Sequence, residues 1–234
     1  MKALLSSTYF GPIQWYQKLN RYDECLIERH ESFIKQTYRN RMLIPTTNGP
    51  LSLTIPTNHN TSLAMKDIRI SDHANWRHVH WNALLSAYGE SPFFEYYQDD
   101  IRPFYEKKYE FLFDFNMEIT EKMIELLDIR PKISVTSEYI QSEELKVKSE
   151  EFNGLANHKV QSSNHKVQSK EVQSKEVQSI VDFREAIRPK KPLPDAEFES
   201  KRYYQVYEQK FGFQPNMSIL DLLFNEGNEA IFYL

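Results

Sequence analysis

Lys2-Ala3-Leu4-Leu5, Pro12-Ile13-Gln14-Trp15-Tyr16-Gln17-Lys18-Leu19 and Glu24-Cys25-Leu26-Ile27-Glu28 decide the fold of this chain. The first and last are short apolar runs of strand length. Between them, Pro12 suits the first turn of a helix, where its missing N–H is not needed. Ile13, Tyr16 and Leu19 give that helix one apolar side. Strand, helix, strand in this order predicts a βαβ unit and a parallel strand pair.

Working outward, Asn48-Gly49 marks a turn, and Leu51, Leu53 and Ile55 alternate with Ser52 and Thr54 as a strand with one buried face. Pro56 ends it. Ile68 and Ile70 alternate with Asp67, Arg69 and Ser71 in another short strand. Trp76, Val79, His80, Ala83, Leu84, Ala87 and Tyr88 follow helical spacing, with Gly89 placed for the C-cap. Leu112, Phe115, Ile119, Met123 and Leu127 form a second helical stripe. A third begins at Ile219, where Ser218 and Asp221 fit a helix-start signal. The expected fold is α/β, a single domain with a small mixed sheet.

That domain is interrupted. Hydrophobic residues thin out from Ser142 to Ser179, where Val-Gln-Ser recurs at Val160, Val167, Val172 and Val177. Steps of seven and five residues put no continuous apolar stripe on a helix and alternate faces on a strand. The segment reads as a disordered low-complexity insertion, with a partner-binding motif as the alternative. Asp182 to Asp195, with three prolines, reads as an extended linker. The expected organisation is 1–140 as the main part, 141–195 as repeat insertion and Pro-rich linker, and 196–234 as a C-terminal helical part of the same domain.

Composition narrows the function. With 29 basic and 33 acidic residues, the net charge of −4 argues against a nucleic-acid partner. The 14% aromatic content argues against a wholly disordered chain. One cysteine excludes an internal disulfide framework and a Cys-built zinc site, so the expected compartment is the reducing cytoplasm. The opening residues lack a signal peptide's apolar run, and no stretch suggests membrane insertion. The common nucleotide, hydrolase and zinc-protease motifs are absent.

The densest polar patch runs from Glu28 to Arg41, just after the second strand. In open α/β sheets, ligands gather outside the carboxyl ends of strands. Lys35, Arg39 and Arg41 either hold a phosphate or carboxylate or form a solvated edge. His30, beside Glu28 and Glu31, is either a general acid–base or a structural histidine. His73, His78 and His80 lack helical metal-ligand spacing, so no metal site is expected. Cys25, inside a buried strand, reads as inert.

Tyr9-Phe10-Gly11-Pro12-Ile13-Gln14-Trp15-Tyr16-Gln17-Lys18, then Tyr22-Asp23, Phe33, Asn40-Arg41 and Leu51-Ser52-Leu53-Thr54-Ile55-Pro56, resemble the opening of the WbqC-like family. Lys66 to Ile70, Trp76, His80, Tyr88, Pro92-Phe93-Phe94, Phe113 to Asn116 and Ser218 to Gly227 continue the resemblance in order. Two departures stand out. The family's His-Gln-Pro after the first strand is here close to Leu5-Ser6-Ser7, and its acidic residues after the second strand are replaced by Arg29 and His30. Whatever those groups do in the family is done differently here or not at all. The opening βα unit is also similar to a nucleotidyltransferase-type domain, without the His-x-Gly-His signature of those enzymes.

The resemblance implies bacterial surface-polysaccharide (O-antigen) biosynthesis. The expected activity is that of a transferase on an activated, phosphate-bearing small molecule, either a sugar nucleotide or an acyl-adenylate. Tyr9, Lys35, Arg39, Asn40 and Arg41 are the candidate ligand-binding residues, and His30 and Lys18 the candidate catalytic ones. No cofactor is specified. The alternative is a non-catalytic adaptor with a protein partner in an envelope-biosynthesis complex.

Overall fold

The computed structural model describes residues 1–58, 63–141 and 179–234. Strand β1 (Lys2–Ser6) buries Ala3, Leu4 and Leu5 completely. Helix α1 (Ile13–Arg21) follows, entered through the extended backbone of Pro12. Strand β2 (Glu24–Glu28) then pairs parallel with β1, from Lys2 opposite Glu24 to Ser6 opposite Glu28. The predicted βαβ unit is present.

Strands β3 (Arg41–Ile44) and β4 (Leu51–Thr54) form an antiparallel pair, and β5 (Thr57–Asn58) and β6 (Arg69–Ile70) form another. Gly49, in the turn between β3 and β4, has φ +96°, a conformation that suits glycine.

Helices α2 (Trp76–Tyr88), α3 (Phe94–Ile101), α4 (Pro103–Glu106) and α5 (Leu112–Leu126) come next. On α2, Trp76, His80, Leu84, Ala87 and Tyr88 are buried as the spacing predicts, but Val79 is 54% exposed. The buried face is narrower than the apolar stripe. On α5, Leu112, Phe115, Ile119 and Met123 face the core, accompanied by Asn116 and Thr120.

Strands β7 (Ile133–Val135) and β8 (Ile180–Asp182) complete the main sheet, and helices α6 (Glu208–Phe211) and α7 (Ile219–Glu226) follow. The sheet order is β7-β2-β1-β8, parallel throughout. The fold is therefore mixed α/β, but its strands do not join in one mixed sheet. Both inner strands, β1 and β2, already have neighbours on each side, and the antiparallel pairs stand apart.

The segment from Asp182 onward does more than link. Phe183, Arg184, Ala186 and Ile187 are buried, and the Phe183 N–H donates to the Leu4 carbonyl. The Val-Gln-Ser repeat lies outside the described residues up to its last serine, Ser179, whose carbonyl accepts the Lys2 N–H.

Helix α1 is buried on more than its apolar side. Gln14, Gln17 and Lys18 are covered because residues 195–199 run across them. At α7, Ser218 caps as expected, its Oγ accepting from the Leu220 N–H. Asp221 does not close a capping box. Its carboxylate is fully buried and accepts hydrogen bonds from the Tyr203 hydroxyl and Gln205 Nε2. Burial pushes this carboxyl up to about 6, although those hydrogen bonds favour the charged form. No helix among the described residues is long and apolar enough to cross a membrane.

Candidate functional site at the carboxyl rim of the parallel sheet

From β1 the chain moves to β2 and β7 on one side, then returns through β8 on the other. This reversal opens a crevice at the carboxyl ends of β1 and β8, where open α/β sheets receive ligands. Ser6 and Thr8 follow from β1, and Phe183 and Arg184 from β8. With Trp15, Tyr38 and Arg39 they line a small cavity of about 10 Å³, room for roughly one water molecule.

A buried charge network forms the rim. Arg39 Nε donates to Glu31 Oε1 at 2.8 Å, and Arg39 Nη2 donates to Glu31 Oε2, so the pair is bidentate. Arg39 Nη2 also donates to Ser6 Oγ at 2.8 Å, and Ser6 Oγ donates to Glu31 at 3.1 Å. Thr37 Oγ1 accepts from Arg39 Nη1 at 3.2 Å. Arg39 is 3% exposed and Glu31 5%, so these bonds form away from bulk water.

A second charged group lies alongside. Glu28, fully buried at the end of β2, accepts from the His30 N–H at 2.7 Å, Thr136 Oγ1 at 2.7 Å and the Ile140 N–H at 2.9 Å. The Arg184 guanidinium stands 3.7 Å from Glu28, and its Nε and Nη2 donate to Asp182 at 3.0 and 2.8 Å. From α5, Asn116 Nδ2 donates to Ser7 Oγ at 3.2 Å and to the Arg39 carbonyl at 2.8 Å. Thr8 Oγ1 and Asn116 Oδ1 are buried without a hydrogen-bond partner.

The loop leaving β1 is tightly built. Phe10 adopts a left-handed φ of 41°, uncommon for a bulky residue. A Cβ on Gly11 would fall 2.4 Å from Thr8 Oγ1, so this glycine lets the loop fold onto Thr8.

The sequence-predicted residues scatter around this rim. Arg39 sits within it. The His30 ring is half-buried, and its backbone is tied to Glu28. Tyr9 is fully buried just behind, with its hydroxyl 2.9 Å from both His80 Nδ1 and the Tyr105 hydroxyl. Burial pushes the Tyr9 phenol well above its usual range and the His80 imidazole down to about 4, so both are neutral at pH 7.

Lys18 lies one turn along α1 from Trp15, outside the crevice lining. There it pairs with Asp195 at 2.9 Å and lies 4.2 Å above the Phe183 ring. Asn40 Nδ2 donates to the Ile55 carbonyl, and Arg41 Nε to Thr54 Oγ1, both at 3.0 Å. These two therefore hold the β3–β4 hairpin. Lys35 is exposed, with no hydrogen bond or ion pair among the described residues. The predicted trio Lys35, Arg39 and Arg41 does not converge on one ligand position.

Ser6, Arg184 and Asn116 are rim residues that the sequence pattern passed over. The position of Ser6 at the end of a parallel strand was the available signal. His78 and His80 point to different partners, Asn82 and Tyr9.

The family model described as the WbqC-like protein family matches residues 6–233. The chain belongs to the WbqC-like protein family. It is similar to the uncharacterized protein Rv1507c of Mycobacterium tuberculosis (strain ATCC 25618 / H37Rv), at 28% identity over 235 positions. That match covers 99% of this chain and 96% of the relative. No solved structure matches. Within this WbqC-like chain, the two places read from the sequence as departures from the expected motif lie at the ends of neighbouring strands beside the rim. Ser6 and Ser7 stand at the end of β1, and Arg29 and His30 lead into Glu31 after β2. Residues far apart in sequence thus meet at one place on the fold.

Proposed function

We propose that the carboxyl rim is the active site of a transferase acting on an activated, phosphate-bearing small molecule in bacterial surface-polysaccharide biosynthesis. A sugar nucleotide or an acyl-adenylate fits this reading. One observation carries it: two arginines, Arg39 and Arg184, line a single crevice at the reversal point of a parallel sheet, beside the Ser6 and Thr8 hydroxyls. Guanidinium groups are suited to planar, bidentate recognition of phosphate or carboxylate.

In this reading Arg39 and Arg184 hold the substrate anion as the crevice widens, and the unpartnered Thr8 Oγ1 supplies a further polar contact. His30, on the turn anchored by Glu28, moves the proton. Tyr9 and Lys18 are positioning residues. Tyr9 backs the β1 loop, and Lys18 steadies Phe183, which lines the crevice. Lys35, exposed on the loop joining Glu31 to Arg39, reaches the outer part of the substrate. Asn40 and Arg41 hold the hairpin that follows.

A non-catalytic adaptor is the second reading. It is favoured by the small free volume of the crevice and by the carboxylates that already pair with both arginines. Calorimetric titration of sugar nucleotides and acyl-adenylate analogues separates the two. Binding to the intact protein that weakens in Ser6→Ala and Arg39→Lys supports the transferase. Absence of binding, or binding unchanged in both variants, removes the site assignment. A stoichiometric protein partner recovered without any ligand-dependent stabilisation supports the adaptor.

A further inference from the structure

A second cleft, of about 370 Å³, opens between the start of α2 and α4. That volume falls within the range of small-molecule sites. Arg77, Arg102 and Lys108 line it together with the aromatic rings of Trp81 and Tyr105, and Glu106 is the acidic residue of the lining.

We propose that this cleft binds a nucleotide, with a phosphate on Arg77, Arg102 and Lys108 and the base against Trp81. Arg77 carries the argument. Its Nη1 pairs with Asp72, but Nε and Nη2 are buried with no hydrogen-bond partner. Those two nitrogens form the edge with which a guanidinium grips two oxygens of one phosphate. The group lies 4.7 Å over the Trp76 ring, and ligand binding requires that edge to turn toward the cleft that Arg77 lines. A buried N–H left unpaired costs free energy, so an oxyanion there relieves a standing penalty.

The charges around it are arranged for the same ligand. Asp72 also accepts from Lys108 Nζ at 3.0 Å, which holds the lysine near Arg77. Arg102 pairs with Glu106 at 2.6 Å. Three cations against two carboxylates leave a positive excess at the cleft. Trp81 is half-buried, with its ring centroid 5.8 Å from that of Tyr105, and offers a flat apolar surface beside the cations. Inorganic phosphate has no use for that surface, whereas a base stacks on it.

The backbone entering α2 adds a consistent detail. Ala74 and Asn75 both take left-handed φ, 63° and 46°, and strain of this kind clusters at ligand sites.

The cleft is distinct from the rim. Tyr9 lies between them, its N–H donating to the carbonyl of Tyr38, a crevice residue, and its hydroxyl meeting Tyr105 of the cleft. The inference does not rest on the transferase reading.

The test is titration of the full chain with ADP, followed by tryptophan emission and thermal shift. Of the three tryptophans Trp81 is the one that lines the cleft, so the part of the emission change lost in Trp81→Phe reports it. Expected are a saturable emission change and a rise in Tm with ADP concentration. Ribose 5-phosphate, which is AMP without the base, should bind about tenfold or more weakly than AMP. Arg77→Lys keeps the charge but loses the fork, and Lys108→Glu reverses an exposed charge. Each should raise Kd about tenfold or more, while Lys132→Ala, at an exposed lysine outside both linings, leaves it unchanged. Trp81→Phe should remove most of the emission change while a thermal shift persists, the remainder coming from Trp76 beneath Arg77. No response to about 5 mM ADP would overturn the proposal. So would binding of ribose 5-phosphate equal to that of AMP, or a Kd unmoved by both charge variants.

Discussion

Replacing Arg39 with alanine tests the rim most directly. The substitution removes the guanidinium that bonds Glu31 through Nε and Nη2 and Ser6 through Nη2. Glu31, 5% exposed, would keep the Ser6 hydroxyl as its hydrogen-bond donor within the network. Leaving one partner of a buried ion pair uncompensated costs about 3–5 kcal/mol. With a urea slope of roughly 2 kcal/mol per molar, the denaturation midpoint should fall by about 1.5–2.5 M. The companion is the double variant Arg39→Met, Glu31→Leu. It removes both charges and fills similar volume, so it should recover most of the loss, giving a coupling of at least about 3 kcal/mol. Urea denaturation of the single and double variants, followed by circular dichroism, measures all of these. A loss below about 1 kcal/mol for Arg39→Ala, or a double variant equal to the sum of its singles, would refute the reasoning.

Other expectations concern different parts of the fold. Asp221 has its carboxyl raised from 3.8 to about 6, chiefly by burial. The native state therefore holds the extra proton between those values, and this group's contribution is full below pH 4 and lost as pH rises through 6. The swing is roughly 3 kcal/mol, and Asp221→Asn should flatten that part of a stability-versus-pH curve. Asp195 behaves in the opposite sense. Burial works against its charge, but hydrogen bonds from Gln14 and Lys18 outweigh burial and hold the carboxyl below 3.8. Its contribution is present above that value and fades as pH falls. Lys18→Ala should release the 195–199 segment from α1, seen as new cleavage there by limited proteolysis. Gly11→Ala brings a Cβ against Thr8 and should cost about 1–3 kcal/mol by thermal unfolding, with Thr8→Ala in the same chain restoring part of it.

The parts of the fold legible in the sequence are those set by local pattern. The apolar runs at β1 and β2 and the proline before α1 name the parallel pair, and helical spacing names α2, α5 and α7. What escaped depends on distant partners. Strand β3 hides in a charged stretch, because Asn40 and Arg41 read as ligand-binding or solvated-edge residues until the hairpin pairs them with Ile55 and Thr54. Strands β7 and β8 have three residues each, and their neighbours define them. Asp221 has the spacing of a capping residue, yet Tyr203 and Gln205 draw its side chain inward.

The site shows the same division. A basic residue near the end of β2 is visible in sequence. That Arg39 turns inward to Glu31 while Lys35 stays outside follows from a loop path with no periodicity. Arg184 escaped because prolines a few residues later make its segment look extended, although hydrogen bonding to Leu4 pulls the first residues into the sheet.

The pairing of β1 with β8 has a consequence for how the protein is made. Lys2 lies opposite Ile180, so β1 waits for a partner about three quarters of the chain length away. At typical ribosomal speeds that interval is roughly 10–40 s. During it, Ala3, Leu4 and Leu5 present an unfilled hydrogen-bonding edge beside apolar side chains, the kind of surface that captures other nascent chains. The same long closure makes the sheet slow to complete on refolding. That edge stays open until the ribosome has delivered Ile180, and the length of the wait is written into the strand order.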